Sequence, residues 1–240
     1  MRKATVYAAA MLMLGEPELA ALRLSLEVAG RAVLLNLLPA IGVAWLLTRR
    51  RFAGRALLDA MVHLPLVLPP VMVGYLLLLL LGAHGPLGRV LDQWLGIRLV
   101  FTTGGAAVAT AIMSFPLMVR AIRLSLDGID SGLEQAARTL GAGPLDRFLT
   151  ITLPLMLPGV LAGAVTAFAA GLGEFGAVVT FVSNIPGETR TLPLALYAAL
   201  QTPDGDALAA RLALLSFALG LAGLLAGEWL ARGLRRWLGR

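Results

Sequence analysis

The sequence contains no cysteine and a single lysine, Lys3, among its 240 residues. The absence of cysteine excludes disulfides, thiolate zinc sites and a cysteine nucleophile. A phosphate loop of the Walker A type needs a lysine between its last glycine and a serine or threonine, and Lys3 has no such context. If the protein does ATP-driven work, a second chain must therefore bind the ATP and its magnesium.

Histidine and charged residues are also scarce. His63 and His84 are the only histidines, and we find neither at a metal-ligand spacing from a carboxylate or from the other. We predict no metal site and no cofactor bound by this chain. The net charge is +6, but the basic residues lie between apolar runs instead of covering one soluble face. This distribution argues against nucleic-acid binding.

The chain is 58% hydrophobic and only 14% charged, which is typical of a membrane protein. Five segments are long and apolar enough to span a bilayer, and a further apolar piece, 191–200, is too short to do so. The five predicted spans are about 22–48, 58–82, 99–119, 153–182 and 207–231. We therefore predict an all-α, multi-pass protein of the inner (plasma) membrane, with lipid around it.

The distribution of arginine predicts the orientation. Twelve arginines follow or precede the spans on one side and three lie in the two loops of the other side. Because cytoplasmic loops are enriched in arginine and lysine, we expect the amino end outside and the carboxyl end in the cytoplasm. Residues 232–240 are then a basic cytoplasmic tail. The segment 1–21 precedes the first span: its apolar run 4–14 resembles a signal peptide, and translation starting at Met11 or Met13 is the alternative that we prefer.

A polar segment in the cytoplasmic loop 125–154 reads as a short helix that is broken at Gly141. Ala136, Ala137 and Leu140 share one face, and small alanines let another backbone approach closely. Acidic and basic residues balance around this face, including Arg138 and Asp146. That balance favours a protein partner over a basic helix lying on anionic headgroups.

The same segment resembles the permease subunits of binding-protein-dependent ABC importers. These carry the cytoplasmic pattern E-A-A-x3-G-x9-I-x-L-P. Here the frame is filled by Gln135, Ala136, Ala137, Gly141, Ile151, Leu153 and Pro154, with Gln135 at the Glu position and Glu134 one place earlier. The resemblance implies a type I ABC importer permease fold, a transport role without catalysis by this chain, and a coupling loop that docks on a cytoplasmic ATPase dimer.

Within that family the chain looks most like molybdate permeases. The similar segments are HLPLVLPPVMVGYLLL (63–78), SFPLMVRAIRL (114–124), LEQAARTLGAG (133–143) and GLGEFGAVVTFVSNIPGETRTLPLALY (171–197). The resemblance implies an ABC permease transmembrane domain over 22–231 that imports molybdate, with tungstate sharing the path. It also implies an extracytoplasmic molybdate-binding protein and a homodimer of the chain. A sulfate or thiosulfate permease is the alternative.

Few polar residues interrupt the spans. Glu174 lies in an apolar stretch and is followed by Phe175; its carboxylate could serve a pathway or gate, or could cap a broken helix. Ser114 and Phe115 precede Pro116 in the third span, where the phenylalanine could plug a pathway or simply pack. Gly159 with Gly163, and Gly223 with Gly227, follow the small-xxx-small pattern of closely packed helices.

Two other classes of protein remain open. A membrane-embedded enzyme needs a constellation of catalytic side chains, but the sequence has no HExxH or GxSxG pattern. A passive scaffold would bind a partner through the same loop without moving a substrate.

Overall fold

The structure is a computed structural model in which residues 15–237 are described. Over this range it contains eleven α-helices, one π-helical turn and no β-strand. The helices are α1 (Glu16–Arg49), α2 (Arg55–Val67), α3 (Pro70–Leu81), α4 (Pro86–Leu95), α5 (Thr103–Asp127), α6 (Ser131–Thr139), α7 (Pro144–Arg147), α8 (Leu153–Leu172), α9 (Gly176–Val182), α10 (Leu192–Leu200) and α11 (Asp206–Trp237). The alternative start sites Met11 and Met13 lie outside the described residues.

Within residues 15–237, four helical runs are long and apolar enough to cross a membrane: Glu16–Arg49, Thr103–Asp127, Pro144–Leu172 and Asp206–Leu230. The predicted second span is different, because α2 and α3 meet at a bend of 116°. If that bent pair counts as one span, the total is five. The all-α membrane architecture is thus confirmed, and the predicted second span over 58–82 is a pair of helices with a sharp bend between them.

The bend follows from two consecutive prolines. A residue that precedes proline avoids the helical region, and Leu68 is extended, with φ −76° and ψ 144°. Pro70 then occupies the first turn of α3, where its missing N–H costs nothing.

The bent pair still carries the chain across the bundle. The ends of α1 and α5 lie side by side, since Arg49 Nη2 donates to the Leu126 carbonyl at 3.3 Å. Because both helices end on the same side, the chain between them has to return to the other side. Only α2, α3 and the short α4 are available to do this.

The core is formed by α1, α5 and α8, which pack closely because small residues face one another. A Cβ on Gly159 would clash with Ser125 Cβ, and one on Gly163 would lie 3.1 Å from the Met118 carbonyl oxygen. α11 lies outside this core and approaches α8 where Gly227 faces Val165. Gly223 makes only ordinary contact, its Cβ position being 3.8 Å from the Phe168 ring.

The predicted fourth span is also interrupted. α8 ends at Leu172, and α9 begins separately at Gly176. The apolar piece 191–200 forms the short helix α10, whose Leu192 and Leu194 are buried. Its first turn is attached to α1, because the Leu192 N–H donates to Ser25 Oγ at 2.7 Å.

Candidate functional site

Helix α6 carries the predicted docking motif and is fixed at both ends by local hydrogen bonds. At its start the Asp130 carboxylate accepts from the Gly132 N–H at 2.8 Å. At its end Gly141 has φ +89°. The N–H of Gly141 donates to the Arg138 carbonyl, and that of Ala142 donates to the Ala137 carbonyl at 3.0 Å. This Schellman geometry needs a left-handed residue, which glycine adopts without strain.

The second half of the motif is not a loop. After α7, the π-helical turn Phe148–Thr152 runs directly into α8, so that Pro144–Leu172 forms one span. Ile151, Leu153 and Pro154 therefore belong to the beginning of that span. α5 also extends as far as Asp127. Within the predicted loop 125–154, residues 128–143 lie between the end of α5 and the start of α7 and include α6.

Glu134 ties α6 to the membrane helices. Its Oε1 lies 3.2 Å from Arg49 Nη2 at the end of α1 and accepts from Thr152 Oγ1 at 3.0 Å. Gln135, which stands at the Glu position of the motif, is exposed. The polar contact that fixes the loop is thus made by Glu134. No pattern in the sequence indicates Arg49 and Thr152 as its partners.

The outward side of this region is apolar. Leu140 is 88% exposed and Leu145 is 70% exposed, although both belong to a polar connection between spans. Leu133 and Leu149 are also exposed. Ala136 on α6 is exposed, whereas Ala137 is half-buried. Several exposed leucines on an otherwise polar segment are typical of a binding surface.

Two helix breaks meet inside the bundle. A Cβ on Gly176, at the start of α9, would lie 2.7 Å from Pro70 Cβ, at the start of α3. Glu174 lies at this junction, and its Oε1 accepts from the Ala177 N–H at 2.9 Å. The carboxylate therefore caps α9. Phe175 packs against Tyr197, with ring centroids 5.1 Å apart.

Ser114 and Phe115 occupy a different environment, between α1 and α5. Ser114 is 1% exposed, and its hydroxyl donates to the Thr110 carbonyl at 2.8 Å and accepts from Asn36 Nδ2 at 3.2 Å. Phe115 packs against the core of these helices. The structure thus places this pair in helix packing and does not bring it to the junction that holds Glu174.

His63 has a neighbouring carboxylate that we did not predict from the sequence. Asp59 lies four residues earlier on α2, and its Oδ1 is 3.3 Å from His63 Nδ1. The same carboxylate pairs with Arg123 at 2.6 Å. Across residues 15–237, no group of three or more histidines and carboxylates is placed to hold a metal ion.

Comparison with known proteins places the chain among transport permeases. Residues 40–236 match the family described as the binding-protein-dependent transport system inner membrane component. The chain is 58% identical over 229 residues to the molybdenum transport system permease protein ModB of Escherichia coli K12, covering 95% of this chain and all of that protein. It is 38% identical over 191 residues to the sulfate transport system permease protein CysT of Salmonella typhimurium, covering 80% of this chain and 69% of CysT.

Among solved structures, the fold is similar to a bacterial alginate ABC transporter in complex with an alginate pentasaccharide-bound periplasmic protein. The TM-score is 0.71 at 18% identity, covering 95% of this chain and 82% of that chain. The permease fold implied by the resemblance is confirmed. The chain belongs to the family of inner membrane components of binding-protein-dependent transport systems.

Proposed function

We propose that this chain is the membrane permease of an ATP-driven importer of molybdate, with tungstate as a second substrate. The observation that carries the transport mechanism is α6, a locally capped helix that presents exposed leucines and is tied to two membrane helices through Glu134. A partner that binds those leucines can move α1 and α8 together. This is the arrangement that coupling to an ATPase requires.

The arginine distribution supports a cytoplasmic location for α6. ATP and magnesium then bind to a separate cytoplasmic ATPase dimer. On the other side of the membrane, an extracytoplasmic binding protein delivers the oxyanion. Selection by a separate protein is consistent with a chain whose spans offer few cations to hold a dianion.

The identity to ModB over its whole length supports molybdate as the substrate. CysT has lower identity and covers less of this chain, and it supports sulfate or thiosulfate as the alternative. Since four or five spans are too few to enclose a pore, we propose that two copies of the chain form the pathway on a two-fold axis. Glu174 and Phe175, at the junction of α3 and α9, are our candidates for the gate.

The test is oxyanion uptake into proteoliposomes that contain the chain, its co-purified ATPase and its binding protein. We expect ATP-dependent molybdate uptake that excess sulfate does not compete away. Uptake of sulfate in preference to molybdate would retain the architecture and overturn the substrate. A complex that takes up neither anion would contradict the importer itself.

The docking face has its own test, the substitution Leu140→Asp. Because Leu140 is 88% exposed, we expect normal folding but loss of ATPase co-purification, since a charge would enter an apolar contact. Thr139→Asp is the matched control, as it adds the same charge at the same end of α6 but on another face. Equal loss in both variants would contradict docking through the leucine face.

A further inference from the structure

A recess of about 380 Å³ opens where α1, α6 and the start of the α8 span meet. We call it the basic recess, because four arginines line it: Arg49, Arg50, Arg138 and Arg147. Its only lining carboxylate among the described residues is that of Glu134. Trp45 and Phe148 contribute an aromatic wall, with their rings edge to face at 6.4 Å.

The positive charge of the basic recess is only partly balanced. Glu134 is already engaged by Arg49 and by the Thr152 hydroxyl. Arg50 lies over the Trp45 ring, 5.4 Å from its centroid, a contact that leaves its N–H groups available. Arg147 Nε makes only a long bond of 3.4 Å to the Gly143 carbonyl.

Arg49 also has an unused donor. Its Nε is buried and has no hydrogen-bond acceptor within the described residues. A buried N–H without a partner costs free energy. Because this Nε is buried, the surplus of N–H donors that faces the recess comes from Arg50, Arg138 and Arg147. Such a surplus is expected of a site that receives an anion from outside the chain.

The position of the recess indicates the source of that anion. Trp45 lies one turn before the end of α1, and Arg49 and Arg50 begin the arginine run that ends this span. Tryptophan and arginine at a span end mark the headgroup level of the bilayer. Basic pockets between membrane helices at that level bind anionic headgroups, and arginine recognises phosphate oxygens through paired N–H donors.

We propose that the basic recess binds the phosphate of an anionic phospholipid such as phosphatidylglycerol. Arg50, Arg138 and Arg147 hold the phosphate oxygens, while Arg49 remains paired with Glu134. The aromatic wall contacts the glycerol and the first acyl carbons. A free oxyanion shares the phosphate chemistry but cannot use that wall, which is why the lipid is the occupant. The site does not depend on which substrate the chain imports.

The experiment measures lipid binding to the delipidated chain, purified with its ATPase. Short-chain phosphatidylglycerol is titrated in, and native mass spectrometry follows its binding. Phosphatidylcholine of the same chain length, inorganic phosphate and molybdate are tested in parallel as direct ligands and as competitors. We expect saturable binding of phosphatidylglycerol alone. In Arg138→Gln/Arg147→Gln we expect its affinity to fall about thirtyfold, from roughly 1 kcal/mol for each arginine.

The control Arg51→Gln/Arg120→Gln removes the same charge from the same side of the bundle but outside the recess, and should retain binding. If the first double variant fails to fold, the single variant Arg138→Gln should still lose about fivefold. Equal binding of phosphatidylcholine, or equal loss in the control, would overturn the proposal. Displacement by phosphate or molybdate would reassign the recess to a soluble oxyanion.

Discussion

Two connections are held in opposite ways: residues 128–143, which precede the α8 span, and residues 183–191, which follow α9. The segment 183–191 is braced from within. Thr189 is fully buried, and its hydroxyl accepts from the Ile185 N–H at 2.8 Å and donates to the Ser183 carbonyl at 3.2 Å. Asn184 accepts from Arg190 Nε at 2.9 Å and donates to the Leu194 carbonyl at 3.2 Å.

The segment 128–143 has its hydrogen bonds at the ends of α6 and is tied to the spans through Glu134. Its leucines face outward instead of into a core. The braced connection keeps one shape with the help of its own side chains. The other is a capped helix that the Glu134 carboxylate ties to the spans, as expected of an element that transmits a partner's movement.

The largest effect is expected at Gly141. The substitution Gly141→Val places a β-branched residue at φ +89°, which costs about 2 kcal/mol, or roughly a thirtyfold change in an equilibrium. We expect ATP-driven uptake to fall at least about tenfold, because α6 no longer ends in its docking geometry. Gly143→Val is the control: Gly143 has φ −66°, and its Cβ position is open. Similar losses in both variants would show that strain at the turn is not the cause.

The next largest effect is expected at Thr189, on the stability of the folded protein. Thr189→Val keeps the side-chain shape but leaves the Ile185 N–H and the Ser183 carbonyl without their partner. We expect the free energy of unfolding in detergent to fall by about 2 kcal/mol. Thr166→Val should change it by less than about 0.5 kcal/mol, because that hydroxyl is exposed and donates only to its own helix, at the Ala162 carbonyl. If both variants behave alike, the segment 183–191 is not braced as described.

The smallest effect is expected at Glu134, the polar link between α6 and the spans. Glu134→Gln removes the ion pair with Arg49 but retains an acceptor for Thr152. Since both side chains are partly exposed, we expect a loss of about 1 kcal/mol or less and a severalfold slower uptake. Asp92→Asn, which breaks the exposed pair with Arg98, should leave uptake unchanged. A larger loss in Glu134→Gln than in Gly141→Val would reverse the ranking and make the link the dominant element.

Much of the candidate site could be predicted from local signals. Gly141 ends α6 as expected, because a left-handed turn strongly selects glycine. The apolar runs indicated the four long helices, since a membrane span must be apolar along its length. Contacts between residues far apart in the chain could not be predicted in this way. Nothing near Ser114 in sequence indicates that Asn36 bonds to its hydroxyl, and Glu18, which is 3% exposed, is paired with Arg211 almost two hundred residues later.

The sequence by itself determined that the chain is a multi-span helical protein without a Walker nucleotide site, and that α6 ends at a glycine turn. These properties depend on hydropathy, on which residue types are present and on backbone preferences within a few residues. Only the tertiary structure decided that the break before α9 meets the start of α3, and that Glu134 is held by Arg49 and Thr152. Those outcomes depend on which helix faces lie against each other, and a pattern within one segment does not specify the partner it will meet.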